Sequence, residues 1–191
     1  MATVQVKIAS VAPLLMHNGL LADPMYEWTR EIKKVTSKRK KTDEDHAEVK
    51  RLEYIGGLYW NEDDGPHITS DMIEACVRDG AKVNRLGKQV LSSVFCMAEF
   101  IPLQYKGPRD IDSLFADRAF VDTRGVRVNS GRVSRTRPKF KDWSLEFELH
   151  FEPTGMSFDE LKEALIEAGK KGLGDYRPKY GRFTVETFKT I

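Results

Sequence analysis

Residues 144–152 read Ser144-Leu145-Glu146-Phe147-Glu148-Leu149-His150-Phe151-Glu152. Leucine and phenylalanine alternate with glutamate and histidine, the period of a strand with one face on a core and the other in water. Five residues further on, Ser157-Phe158-Asp159-Glu160 is a capping box, and Phe158, Leu161, Leu165 and Ala168 continue it as the apolar stripe of a helix. That helix ends at Gly169 or Gly172. A glycine-bearing loop, Gly172 to Gly181, then feeds a last strand with Phe183 and Val185 inward.

Towards the N-terminus the same elements recur. Residues 3–9 form a strand with Val4, Val6 and Ile8 on one face and Thr3, Gln5 and Lys7 on the other. Leu58-Tyr59-Trp60 and His67-Ile68 flank an Asp-Gly turn and make a short hairpin. A helix follows from Thr69 or Ser70, with Ile73, Cys76, Val77 and Gly80 at i, i+3, i+4 and i+7. The apolar stretch Val90–Ala98 leads into a strand over 99–105, and residues 106–119 read as a connection. Strand, helix, strand, strand, helix, strand is the order of a ferredoxin-like α+β fold, βαββαβ.

Two stretches stand outside that order. Asp23-Pro24 predicts an N-cap and first helical residue, with a helix to about Lys34. From Thr36 to Lys50 only Val49 is a large apolar residue, so this part reads as a mobile excursion or a polar helix, ended by Gly56-Gly57. Residues 120–140 are an arginine-rich β-like region with a turn at Asn129-Ser130-Gly131. The expectation is one domain over 1–191, with a helical, charged insertion at about 19–62 and a hairpin insertion at about 118–141.

Forty per cent of the 191 residues are hydrophobic, enough for a packed core, and no apolar run approaches a membrane span. The two cysteines, Cys76 and Cys96, sit in apolar surroundings and are too few for a disulfide framework or zinc ribbon, which fits a cytoplasmic protein with reduced thiols. The net charge is only +2, yet segments 29–41, 123–141 and 170–182 hold 19 of the 31 basic residues and 2 of the 29 acidic ones. A cationic surface on an anionic body is the footprint of a polyanion partner.

The richest cluster is Arg124, Arg127, Arg132, Arg135, Arg137 and Lys139, with no acid between Asp122 and Asp142. Guanidinium groups spaced along a hairpin hold successive phosphates and stack on bases; a solvated edge that resists aggregation is the plainer reading. In the glycine loop, Gly172 and Gly174 allow close backbone approach to a phosphate. Lys170, Lys171, Arg177, Lys179 and Arg182 surround them, and Tyr176 and Tyr180 offer rings for stacking. A helix cap followed by a turn also explains Gly172. Glu146, Glu148 and Glu152 would repel a strand laid on the open sheet face, which leaves the gripping to the loops and the hairpin.

The chain resembles the RAMP superfamily, the RNA-recognition-motif-like proteins of CRISPR effector complexes. The resemblance lies in the C-terminal helix followed by Gly172-Leu173-Gly174 and Tyr180-Gly181-Arg182-Phe183, in the hairpin and Ile68-Thr69-Ser70 that open the first helix, and in the first strand with its loop. Where the family usually has a glycine ahead of the serine pair, this chain has Ile68-Thr69. The resemblance implies a ferredoxin-like palm, an arginine-rich thumb at 120–140 and an inserted finger region at 24–53. It further implies head-to-tail assembly along single-stranded RNA or DNA, as a homo-oligomer or in a multi-subunit ribonucleoprotein. A compact phage or prophage relative fits equally.

The reading is of a non-catalytic binder with no cofactor, no metal and no membrane partner. Two rivals stand beside it. One is an endoribonuclease using Asp23, in the loop after the first strand where some related subunits place a metal-dependent aspartate, or His17 as a general base. The other is an interaction module that joins or mimics a CRISPR complex. His17, His46, His67 and His150 show no metal-ligand spacing.

Overall fold

The computed structural model describes residues 1–128 and 131–191. Asn129 and Ser130, which carry most of the expected hairpin turn, lie outside the described residues. In chain order the elements are β1 (Ala2–Ser10), β2 (Leu14–Leu15), α1 (Glu27–Thr36), α2 (Asp43–Gly57), β3 (Trp60–Asn61), β4 (Gly65–Thr69), α3 (Ser70–Ala81), α4 (Gly87–Ser93) and β5 (Val94–Phe95). They continue with β6 (Phe100–Pro102), β7 (Gln104–Tyr105), α5 (Ile111–Ala116), β8 (Val121–Val128), β9 (Gly131–Phe140), β10 (Trp143–Phe151), α6 (Phe158–Lys171) and β11 (Phe183–Thr190). The chain forms two compact units, one of residues 1–14, 60–106 and 141–191, the other of 15–59 and 107–140.

The first unit is an α+β body on an antiparallel sheet in the order β11, β1, β10, β5, with β7 also on β10. The alternation of β10 does what its sequence dictates: Trp143, Leu145, Phe147, Leu149 and Phe151 are buried, as are Val4, Val6 and Ile8 of β1. Helices α3 and α6 cover this layer. Ser157 and Glu160 close the predicted capping box on α6, and Leu161, Leu165 and Ala168 turn inward. The two helices meet at Gly80, where a β-carbon would stand 2.0 Å from the Ala164 carbonyl oxygen. The predicted hairpin is β3–β4, pairing Trp60 with Pro66 and Asn61 with Gly65. Cys76 and Cys96 are both buried and free, and burial pushes the Cys76 thiol up to about 12.

The strand expected over 99–105 is two strands in two sheets: β6 pairs with β4 and β7 with β10, with Leu103 buried between them. The connection at 106–119 contains α5, capped by the Asp110 carboxylate on the Ser113 N–H. Val90–Ala98 divides into the end of α4 and β5.

In the second unit, β2, β9 and β8 form a three-stranded sheet, and α1 and α2 pack on each other. The stretch that read as an excursion or polar helix is α2, begun by a capping box of Thr42 and Asp45. Its buried apolar side chains, Leu52, Tyr54 and Ile55, are in its last turns. Gly56 and Gly57 are the last two residues of that helix, which ends there as expected; a β-carbon on Gly56 would lie 2.7 Å from Trp28 Cβ, so glycine is what lets α1 approach. Asp23 is not the N-cap of α1; its N–H donates to the Leu20 carbonyl at 2.9 Å and closes a short 3-10 turn over Gly19–Ala22. Its Oδ1 accepts from the Met25 N–H at 2.8 Å, a local turn, and α1 begins three residues past Pro24, at Glu27.

Candidate nucleic-acid interface

The hairpin of β8 and β9 fixes where its arginines stand. Across the ladder Asp122 faces Arg137, Arg124 faces Arg135, and Arg127 faces Arg132. Because side chains alternate, Arg124, Arg135 and Arg137 share one face with Asp122, while Arg127 and Arg132 share the opposite face with Thr123 and Thr136. The six predicted residues therefore make two sets.

The first set is held by acids. The Arg124 guanidinium binds both oxygens of Asp122, through Nε at 2.5 Å and through Nη2. Arg135 Nη1 donates to Glu53 Oε1 of α2. The other oxygen of Glu53 accepts from the Thr136 N–H at 2.9 Å, and Glu53 and Thr136 are both buried. Arg137 is buried at the root of the hairpin. Arg127 and Arg132, the second set, are exposed towards the outer end, and Lys139, on the face of Arg135 and Arg137, is half-buried at the base. Arg127 and Arg132 thus stand opposite one another on the ribbon, two like charges at one ladder position.

The remaining predicted residues, Lys170, Lys171, Gly172, Gly174, Tyr176, Arg177, Lys179 and Arg182, lie in the first unit around the end of α6. The Gly172 N–H donates to the Ala168 carbonyl at 2.8 Å and ends the helix, with φ at +87°. The loop then closes on itself: Leu173 N–H donates to the Gly181 carbonyl at 2.9 Å. A β-carbon on Gly181 would come 1.7 Å from the Leu173 carbonyl oxygen.

Asp79 of α3 gathers the neighbouring cations. Lys82 Nζ is 2.6 Å from its Oδ1, Arg177 Nη1 is 3.2 Å from its Oδ2, and Lys171 Nζ donates to its carbonyl. The Lys82 ammonium holds the Asp79 carboxyl below the usual aspartate range, Arg177 helps, and partial burial works the other way. Lys170 pairs with Glu167. Tyr176, Lys179 and Arg182 are exposed, and Tyr180 stands edge-on to Tyr176.

No family model and no curated protein matches this chain. Among solved structures, its fold is similar to that of a chain in the cryo-EM structure of the Type III-B Cmr-beta bound to cognate target RNA. The TM-score is 0.54 at 11% identity, over 100% of this chain and 60% of that one. The likeness is one of fold. This chain spans about 60% of the length of that neighbour.

His17 and Asp23 part company. Asp23 is exposed and occupied by its own turn. His17 is exposed on a cleft of about 340 Å³ whose charged walls are Lys33, Glu53 and Arg135, with Thr29, Thr36 and Thr136, over Leu21 and Ile32. Sequence reasoning passed over Glu53 and Asp79, which hold Arg135 and Arg177 of the predicted set from distant parts of the chain. Glu53 alone carried a signal, as the single charge within Leu52–Ile55, the one apolar run of its helix. Among the described residues no group of three His, Cys, Asp or Glu side chains stands close enough to hold a metal ion, and no helix is long and apolar enough to cross a membrane.

Proposed function

We propose that this chain is a RAMP-like protein that binds single-stranded RNA or DNA without cutting it and assembles head to tail along the strand. The fold part of the reading rests on the sheet order β11, β1, β10, β5 with α3 and α6, which suits a ferredoxin-like palm, and on the likeness to a chain of an RNA-bound complex. Residues 15–59 and 107–140 take the part of insertions, with β8–β9 as the thumb.

The observation that carries the binding reading is Arg127 opposite Arg132 on one exposed face of the hairpin. A phosphate meets a guanidinium through paired N–H donors, and two side by side on one ribbon can hold neighbouring phosphates of a strand. Arg124 and Arg135, tied to Asp122 and Glu53, stiffen the ribbon that presents them. In the first unit, Tyr176, Lys179 and Arg182 supply a second set of stacking and phosphate contacts. Their neighbours Lys171 and Arg177 shape the loop through Asp79.

The test is size-exclusion chromatography with light scattering and a 260/280 nm absorbance ratio on untagged protein, before and after nuclease in high salt. A large species rich in nucleic acid that collapses on treatment is expected. A nucleic-acid-free monomer that stays monomeric with an added oligonucleotide overturns the reading.

One observation favours a second reading, that of an acid–base ribonuclease. His17 shares its cleft with Lys33 and Arg135, a candidate base beside two cations that could stabilise a pentacovalent phosphate. It requires a labelled RNA to be shortened by the protein and left intact by His17→Ala.

A further inference from the structure

The cleft of about 340 Å³ beside His17 lies wholly within the second unit. One wall is a single stripe of α1: Thr29, Ile32, Lys33 and Thr36 stand at i, i+3, i+4 and i+7. Ile32 and Leu21 give the cleft apolar surface, and the polar groups around them are of two kinds.

The first kind is cationic. Lys33 is exposed and has no acidic partner among the described residues. Arg135 gives Nη1 to Glu53, and its remaining N–H groups have no partner among the described residues. Against these two the lining holds one acid, Glu53, so the cleft favours an anion. The second kind only accepts. Thr29 Oγ1 donates to the Leu21 carbonyl at 3.2 Å, and Thr36 Oγ1 to the Ile32 carbonyl at 2.9 Å. Each hydroxyl has one hydrogen, so both turn lone pairs to an occupant. A ligand matched to this lining carries an anion, an apolar body and an N–H donor.

We propose that the cleft binds a nucleoside monophosphate whose base has an exocyclic amino group, as cytosine and adenine do. The phosphate meets Lys33 and Arg135, the base covers Leu21 and Ile32, and the amine donates to the half-buried Thr29 hydroxyl. Thr29 and Lys33 are one turn apart, about 6 Å along the helix, and the lysine side chain extends that span. Uracil presents a carbonyl oxygen where cytosine presents its amine, setting lone pairs against lone pairs. A site built for a donor rejects an analogue that lacks it. This inference concerns a ligand held intact, and it stands apart from strand binding by the hairpin and from cleavage at His17.

The experiment follows the Ile32 methyl resonance of the full chain, labelled at isoleucine methyls, during titration with 5′-CMP, 5′-UMP and ribose 5-phosphate. A saturable shift with CMP is expected, weaker with UMP by about fivefold, and no ring-current shift with ribose 5-phosphate. Lys33→Ala should weaken CMP by about threefold. Thr29→Val should bring CMP and UMP together, and Thr29→Ser, which keeps the hydroxyl, should keep them apart. An Ile32 methyl unmoved at millimolar CMP, or moved alike by CMP and UMP in the wild type, overturns the proposal. An oligocytidine that reproduces the shift at lower concentration than CMP assigns the nucleotide to a strand. One that leaves Ile32 unmoved assigns it to the free ligand.

Discussion

The buried Glu53 carboxylate accepts a hydrogen bond from the Thr136 N–H at 2.9 Å and, on its other oxygen, the guanidinium of Arg135. An acid of α2 thereby completes the hydrogen bonding of β9 from outside the sheet, 83 residues away in sequence. Removing it leaves a buried N–H without an acceptor and a cation without its counter-charge. Glu53→Ala is expected to lower the unfolding free energy by about 2 kcal/mol, and Arg135→Ala, whose side chain is 38% exposed, by less than about 1 kcal/mol. Urea denaturation of the two variants checks the order.

Gly80 is the point of closest approach of α3 and α6. A methyl group there would lie 2.0 Å from the Ala164 carbonyl oxygen and 2.6 Å from the Ala168 nitrogen, both backbone atoms. Gly80→Ala should therefore destabilise, although alanine favours helices, by about 2 kcal/mol. For a chain of this size that is a fall of roughly 4–8 °C in Tm, read by calorimetry.

Asp79 binds Lys82 and Arg177, and the Lys82 ammonium keeps its carboxyl below the ordinary aspartate range. A carboxyl depressed on folding stabilises above its unfolded pKa, about 3.9, and loses that contribution as pH falls through the folded value. Asp79→Asn should cost up to about 1 kcal/mol at pH 7. The gap between variant and wild type should close as pH drops below about 3.9. Paired denaturation curves from pH 7 to 2.5 measure it.

The parts of the fold that were legible are those whose signals are local. The alternation of β10, the capping box of α6 and the stripe Ile73, Cys76, Val77, Gly80 each demand one element and one buried face, and each is observed. Helix α2 was open because its buried apolar side chains sit in the last turns, beyond a first half in which Val49 is the one large apolar residue. Residues 99–105 look like one strand because an alternating run does not say that its halves belong to two sheets.

Of the candidate site, the residue types and the hairpin were legible, and the division of labour within it was not. Register sets Arg127 and Arg132 on the face opposite Arg124, Arg135 and Arg137, and an unplaced turn leaves register open. The partners Glu53 and Asp79 lie 82 and 98 residues from Arg135 and Arg177. No spacing rule reaches that far.

The central claim is that exposed cations of this chain grip the phosphates of a single strand. Its most direct measurement is the affinity for a fluorescent 30-nucleotide single strand as a function of salt. Contacts to about five phosphates predict a log–log slope of about −3.5, and Arg127→Ala/Arg132→Ala should reduce its size by about 1.4. Absence of binding in 50 mM salt, or a slope near zero that the double variant leaves unchanged, would contradict the account.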